Sequence, residues 1–193
     1  MYMNKYVFDR IGGLIGSILI LPICVVIGIL IKLHMPGPVF FCQKRVGKHG
    51  KLFTMIKFRT MVVNHGGNSI SVKGEHRITP FGSFLRKYKL DELPELFNVL
   101  IGDMSFVGPR PDVPGYADLL TGENRLILNL RPGITGPASL KYANEEEILA
   151  KVEDPERYNN EIIYPDKVKI NLNYYYNHTL LSDLKIIFQT IIR

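Results

Sequence analysis

Cysteine is scarce in this chain: of 193 residues only Cys24 and Cys42 are thiols, and Cys24 lies inside an apolar run. That argues against a disulfide framework. The five histidines and two cysteines show no metal-ligand spacing, which argues against a structural zinc site. Acidic residues are missing over a long stretch, since no Asp or Glu lies between Asp9 and Glu75 while nine Lys or Arg do. No internal repeat or low-complexity segment is present.

What is there is a basic chain of formal charge +6 and pI about 9.3, of a length that suits one compact domain plus a membrane element. Its partners are expected to be anionic: nucleic acid, acidic lipid or a phosphorylated substrate. Nucleic acid is the weakest of these, because no binding motif and no face of interleaved basic and aromatic residues is visible. The acidic bias from Glu145 to Asp166 reads as a solvated face.

Residues 11–31 form an uncharged run of 21 residues, about the length that crosses a hydrocarbon core as a helix. The run is longer than the apolar part of a cleaved signal, and KLHMPGP follows it in place of a small-residue cleavage site. Pro22 at its middle removes a backbone hydrogen bond and predicts a kink. Lys5 and Arg10 before the run, and Lys32, Lys44 and Arg45 after it, bias both ends toward the cytoplasm. A kinked span and a helix that enters, bends at Pro22 and returns both remain open on these residues. Gly12 and Gly16 suit either a helix-pairing face or close packing within a hairpin.

Beyond the turn at Met35-Pro-Gly-Pro38, a β-like run starting at residues 39–41 and a second at 52–58 read as a hairpin with its turn at 47–50. Residues 64–74 read as a loop, and residues 116–130 carry a plausible helix before the Arg131-Pro-Gly turn, which suits either a phosphate contact or a plain turn. Residues 145–158 predict a polar surface helix. A last helix from Ser182 carries the stripe Leu184, Ile187, Phe188 and Ile191, suited to the membrane interface or to the core.

The stretch 77–111, RITPFGSFLRKYKLDELPELFNVLIGDMSFVGPRP, sets Asp91 and Glu92 between a basic approach and a Gly/Pro-rich exit carrying Arg110. Leu93, Leu96, Phe97 and Leu100 recur at helical spacing, predicting a helix over 92–100 with Pro94 in its first turn and Asp91 as its N-cap. Taken alone, such a pair is equally ordinary helix punctuation.

The wording of the segment goes further. LDELPELFNVLIGDMSFVGPRP resembles the signature of the bacterial sugar transferases, small monotopic phosphoglycosyl transferases. GPVFFCQKRVGKHGKLFTMIKFRTM (37–61) and RPGITGPASL (131–140) resemble that family's other two blocks, in the same order. The resemblance implies an α+β fold: a re-entrant helix-break-helix over residues 1–35, broken at Pro22, and a small, mainly helical cytoplasmic catalytic domain with a short β-hairpin over 36–193. Where family members often have Ser before that proline this chain has Leu21, leaving Ser17 to satisfy freed carbonyls.

It further implies transfer of a phospho-sugar from a UDP-sugar to polyprenyl phosphate at the cytoplasmic face of the bacterial inner membrane, releasing UMP. Asp91 matches the nucleophile and Glu92 the second acidic residue, the pair being the expected Mg²⁺ ligands; an N-acetylated donor is expected. Arg110 is the expected clamp on the nucleotide phosphates, with Lys57, Arg59, Arg86 and Arg131 as further substrate-binding residues. Expected partners are the UDP-sugar, polyprenyl phosphate and membrane lipids, with the oligomeric state open. A non-catalytic membrane scaffold is the alternative; it explains the apolar helix and basic belt but not two carboxylates set among cations.

Overall fold

A computed structural model describes residues 2–62 and 77–193. The expected loop at 64–74 lies outside the described residues. Helix α1 (Tyr2–His34) leads into a hairpin of strands β1 (Phe40–Val46) and β2 (Leu52–Phe58), antiparallel with Phe41 opposite Lys57 and Val46 opposite Leu52. Helices α2 (Pro80–Lys87) and α3 (Glu95–Ile101) follow. Strand β3 (Ser105–Val107) then pairs in parallel with β4 (Gly133–Thr135). The C-terminal part is helical: α4 (Pro137–Lys141), α5 (Glu145–Leu149), α6 (Pro155–Tyr158), α7 (Tyr164–Asn177) and α8 (Leu180–Ile191). The fold is thus α+β, as expected, with eight α-helices among the described residues.

The hairpin forms where β-branched and aromatic residues flank a Gly47–Gly50 turn, as the sequence predicts. The β3–β4 pair does not follow from local pattern. It joins the two Gly/Pro-rich blocks, with Gly108 N donating to Thr135 O at 2.9 Å and Gly133 N to Pro109 O at 2.8 Å. Glycines at 108 and 133 let the two backbones approach where a Cβ would strike the opposite strand. The helix predicted over 116–130 is instead two short 3-10 pieces, Ala117–Leu119 and Gly122–Asn129. The helix predicted over 145–158 is divided into α5 and α6.

Helix α1 is long and apolar enough to cross a membrane, yet it is not isolated from the rest of the chain. Asp9, Gly13, Ser17, Cys24, Ile27, Ile31 and Met35 are buried, one residue per turn, so a single stripe rests on the domain along almost the whole helix. Cys24, Ile27, Ile31 and Met35 pack with Phe58 and Leu85. Near the other end, a Cβ on Gly13 would meet Leu100 N at 3.1 Å and one on Gly12 would meet Phe106 Cε2 at 2.7 Å. The glycines therefore seat α1 against α3 and β3 of its own chain. This replaces both a hairpin interior and a pairing face.

The break expected at Pro22 is absent: helical assignment and buried stripe both continue through it. Pro22 faces outward, where one lost hydrogen bond is tolerated while both halves stay docked. Ser17 does not serve it, since its buried hydroxyl has no partner. The opposite face of α1 is bare, with Ile18, Leu19 and Val26 among its exposed apolar residues. Helix α8 behaves similarly: Asp183 and Ile186 are buried, while Leu184, Phe188 and Ile191 of the predicted stripe are exposed.

Candidate active site

Asp91 lies in a 3-10 turn, Leu90–Glu92, between α2 and α3, and Pro94 is the residue preceding α3. The expected capping role of Asp91 is not found. Helix α3 starts four residues later, with no side-chain cap, and Asp91 Oδ1 is buried without a hydrogen-bond partner. The turn is entered through Lys89 in the left-handed region (φ 56°), an uncommon conformation for a residue with a Cβ. It aims the carboxylate away from its own helix and into a cleft of roughly 1850 Å³ that Asp91, Glu92, Lys57, Arg86 and Arg110 share.

Glu92 is the hub. Its Oε1 accepts from Lys57 Nζ at 2.8 Å and from the Arg110 guanidinium, whose side chain is 46% exposed. Lys57 Nζ also lies 3.0 Å from Glu95 Oε1 in an ion pair without hydrogen-bond alignment. Lys57 comes from β2, Arg110 from the turn after β3, and the acids from the approach to α3. The β3–β4 pair is thus what delivers Arg110. Asn98, fully buried, fixes α3 to β2: its Oδ1 accepts from Ile56 N at 3.1 Å and its Nδ2 donates to Thr54 O at 2.8 Å.

The three carboxyls differ in ionisation. Burial alone would raise Glu92, but Arg110 and Lys57 outweigh it and hold it well below the usual carboxylate range. Asp91 is pushed up by burial first and then by the Glu92 charge, against the opposing influence of Lys57, Lys89 and Arg86. Glu95, 1% exposed, is likewise raised by burial, with Glu92 adding to it. The arrangement therefore keeps one carboxylate firmly ionised beside one whose charge burial disfavours. Asp91 and Glu92 are the obvious oxygen donors for a divalent cation. Among the described residues no group of three or more His, Cys, Asp or Glu could hold a metal alone.

Of the other residues singled out in the sequence, Arg86 lines the cleft near Asp91 and pairs with Glu146. Arg59 also lines the cleft, but its guanidinium is engaged: buried, it donates to the carbonyls of Met35 and Pro36 and fastens the end of α1. Arg131 lies elsewhere, donating from Nε to Gly102 O at 3.0 Å and stacking on Tyr6 of α1, 4.7 Å from the ring centre. Sequence reasoning passed over Glu95 and Asn98. Their signal was present, because 91, 92, 95 and 98 recur at helical spacing in polar residues beside an apolar stripe. It also passed over Arg45 and Asp112, where Arg45 Nη1 donates to Pro111 O at 3.1 Å and burial pushes the Asp112 carboxyl up to about 6.

The profile of the bacterial sugar transferases matches residues 1–193. The chain is 36% identical over 190 residues to a UDP-N-acetylgalactosamine-undecaprenyl-phosphate N-acetylgalactosaminephosphotransferase of Aeromonas hydrophila, covering 95% of this chain and 41% of that protein. It is 37% identical over 198 residues to a UDP-glucose:undecaprenyl-phosphate glucose-1-phosphate transferase of Klebsiella pneumoniae, covering 97% of this chain and 40% of that one. A putative undecaprenyl-phosphate N-acetylgalactosaminyl 1-phosphate transferase of Bacillus subtilis is 44% identical over 121 residues, 62% of this chain and 68% of its own. The chain spans about two fifths of the length of the first two.

Proposed function

The chain belongs to the bacterial sugar transferase family, and we propose that it moves a phospho-sugar from a UDP-sugar to undecaprenyl phosphate, releasing UMP, as the first membrane step of glycan assembly. The observation that carries the reading is the site itself: an unpartnered Asp91 oxygen at the edge of a cleft in which two cations are fixed on one neighbouring carboxylate. Every reactant is anionic, so fixed cations must offset repulsion and hold the diphosphate in line. A non-catalytic scaffold leaves the buried ionic cluster without a reason.

Asp91 attacks the β-phosphorus of the donor, and the bond to the UMP oxygen breaks as the carboxylate oxygen–phosphorus bond forms. The phospho-sugar then passes from Asp91 to the lipid phosphate. Glu92, held ionised, keeps Lys57 and Arg110 oriented toward the incoming phosphates, Arg110 being the exposed partner that can turn to clamp them. A Mg²⁺ ion fits here only if the substrate's phosphates complete its shell around Asp91 and Glu92, which is how Mg²⁺ is commonly held; bound, it would neutralise phosphate charge.

An N-acetylated donor is favoured by the names of two of the three relatives above. The arrangement in the membrane is monotopic, at the cytoplasmic face, with α1 continuous through Pro22. Both ends of α1 are fastened to the same domain, Lys5 to Asp183 and Met35 to Arg59, and its bare apolar face turns to lipid.

The test is UMP release by the purified chain in detergent with Mg²⁺, undecaprenyl phosphate and a panel of UDP-sugars. Release from one sugar that vanishes in Asp91→Asn supports the reading; undiminished release in that variant removes Asp91 as nucleophile.

A further inference from the structure

The cleft continues well beyond the Asp91–Glu92 end. Phe41 of β1 stands opposite Lys57, whereas Val46, five positions further along the strand, donates its N–H to Asp112 O at 2.9 Å. At about 3.4 Å per residue this places the Asp112 end roughly 17 Å from the Lys57 end.

This far end sets uncharged polar groups beside the charged Arg45, Asp112 and Lys167. Asn171 on α7 is 7% exposed, lines the cleft, and its Oδ1 has no hydrogen-bond partner. Ser139 on α4 lines it too, with its buried hydroxyl equally unpartnered. Tyr164, at the start of α7, adds a ring set edge-on to Tyr116 with centroids 5.1 Å apart. It follows a π-helical segment, Asn159–Ile163, a local distortion that often marks functional positions. Buried polar atoms are almost always satisfied, so two neutral ones lining one end of a cleft point to a ligand that satisfies them.

We propose that this end is the subsite for the uracil base of the nucleotide donor, with the Asn171 side-chain amide hydrogen-bonding the base edge and the Ser139 hydroxyl a second polar atom of the nucleoside. This deepens the proposed function and rests on it. In-line displacement by Asp91 requires UMP to leave on the side of the phosphorus opposite the nucleophile, and the far end lies beyond Arg110 from Asp91. A neutral, planar group with paired donor and acceptor atoms matches a side-chain amide and an aromatic wall; the diphosphate stays with Arg110, two residues before Asp112.

Isothermal titration of the full chain in detergent micelles with UMP, and separately with N-acetylgalactosamine 1-phosphate, tests the assignment. In Asn171→Ala the UMP dissociation constant should rise roughly tenfold while that of the sugar phosphate stays put. Ser139→Ala should weaken UMP several-fold without lowering the ligand-free melting temperature, since its hydroxyl makes no bond to lose; it serves if Asn171→Ala does not fold. Selective loss of the sugar phosphate, equal loss of both, or no loss of either overturns the uracil assignment. A parent chain that binds no UMP would overturn the proposed function itself, and is thereby distinguished from a variant that binds it normally.

Discussion

Replacing Lys57 with Met tests the ionic hub directly. The substitution keeps the side-chain length and removes the ammonium from between Glu92 and Glu95. Glu92 retains Arg110, so the larger effect falls on Glu95, which is 1% exposed and already raised by burial. Left without a close cation, Glu95 takes up a proton, and the cost of that is capped by its ordinary value of 4.5. At pH 7 the cap is about 1.36 × 2.5, or roughly 3.4 kcal/mol; at pH 5 it falls to about 0.7 kcal/mol. The sign follows because a carboxyl raised in the folded state keeps its stability at low pH and loses it as pH rises. A loss of ~3 kcal/mol in a chain of this size lowers the melting temperature by roughly 6–12 °C. Thermal unfolding in detergent, followed by circular dichroism at both pH values, reads this out. Glu95→Gln in the Lys57→Met background should restore most of the loss at pH 7. Equal melting of variant and parent at pH 7, a deficit that persists at pH 5, or no rescue by Glu95→Gln would refute the reasoning.

Asp112, pushed up to about 6 by burial against an ordinary 3.8, stabilises the folded state fully below pH 4 and progressively less as pH rises through 6. Asp112→Asn should flatten that slope and gain up to about 3 kcal/mol at pH 7.5, measured as melting temperature against pH; an unchanged slope counts against it. Asn98→Ala leaves Ile56 N–H and Thr54 C=O buried and unpaired, at about 3 kcal/mol in total. Hydrogen exchange at the Ile56 amide should accelerate well beyond that of its β2 neighbours, and uniform acceleration along the strand would argue that Asn98 merely fills space.

Where the pattern was local, the sequence was readable. The hairpin announced itself through two β-like runs around a Gly47–Gly50 turn, and the last helix through its apolar stripe, capped as Thr179 and Ser182 allow. Which face of that helix would be covered was not readable, because Asp183 is drawn inward by Lys5, far away in sequence. The same limit applies to the arginines. Arg59, Arg110 and Arg131 each sit in a motif-like setting, yet only Arg110 reaches the carboxylates. The choice depends on β3 pairing with β4, a contact between segments about 28 residues apart whose ladder is only three residues long. Asp91 was misread as a cap for a related reason: propensity rules place an acid before a helix, but the left-handed Lys89 turns it into the cleft.

Helix α1 connects these observations. Its Lys5 and Asp9 hold β3 through Val107 O and Phe106 N, and β3 leads directly to Arg110. Its Arg10 donates to Val99 O and Leu100 O at the end of α3, the helix that follows Asp91 and Glu92. Its far end is fastened by Arg59, two residues from Lys57 in the chain. The segments that supply Lys57, Arg110 and the Asp91–Glu92 pair are thus each tied to the apolar helix by a polar contact. Sliding α1 by one residue would turn Lys5, Asp9 and Arg10 through about 100° and break all three ties. On the function proposed above, the depth at which the bare face of α1 settles in lipid sets the height of Asp91 relative to the headgroup plane, where a lipid-borne phosphate would meet it.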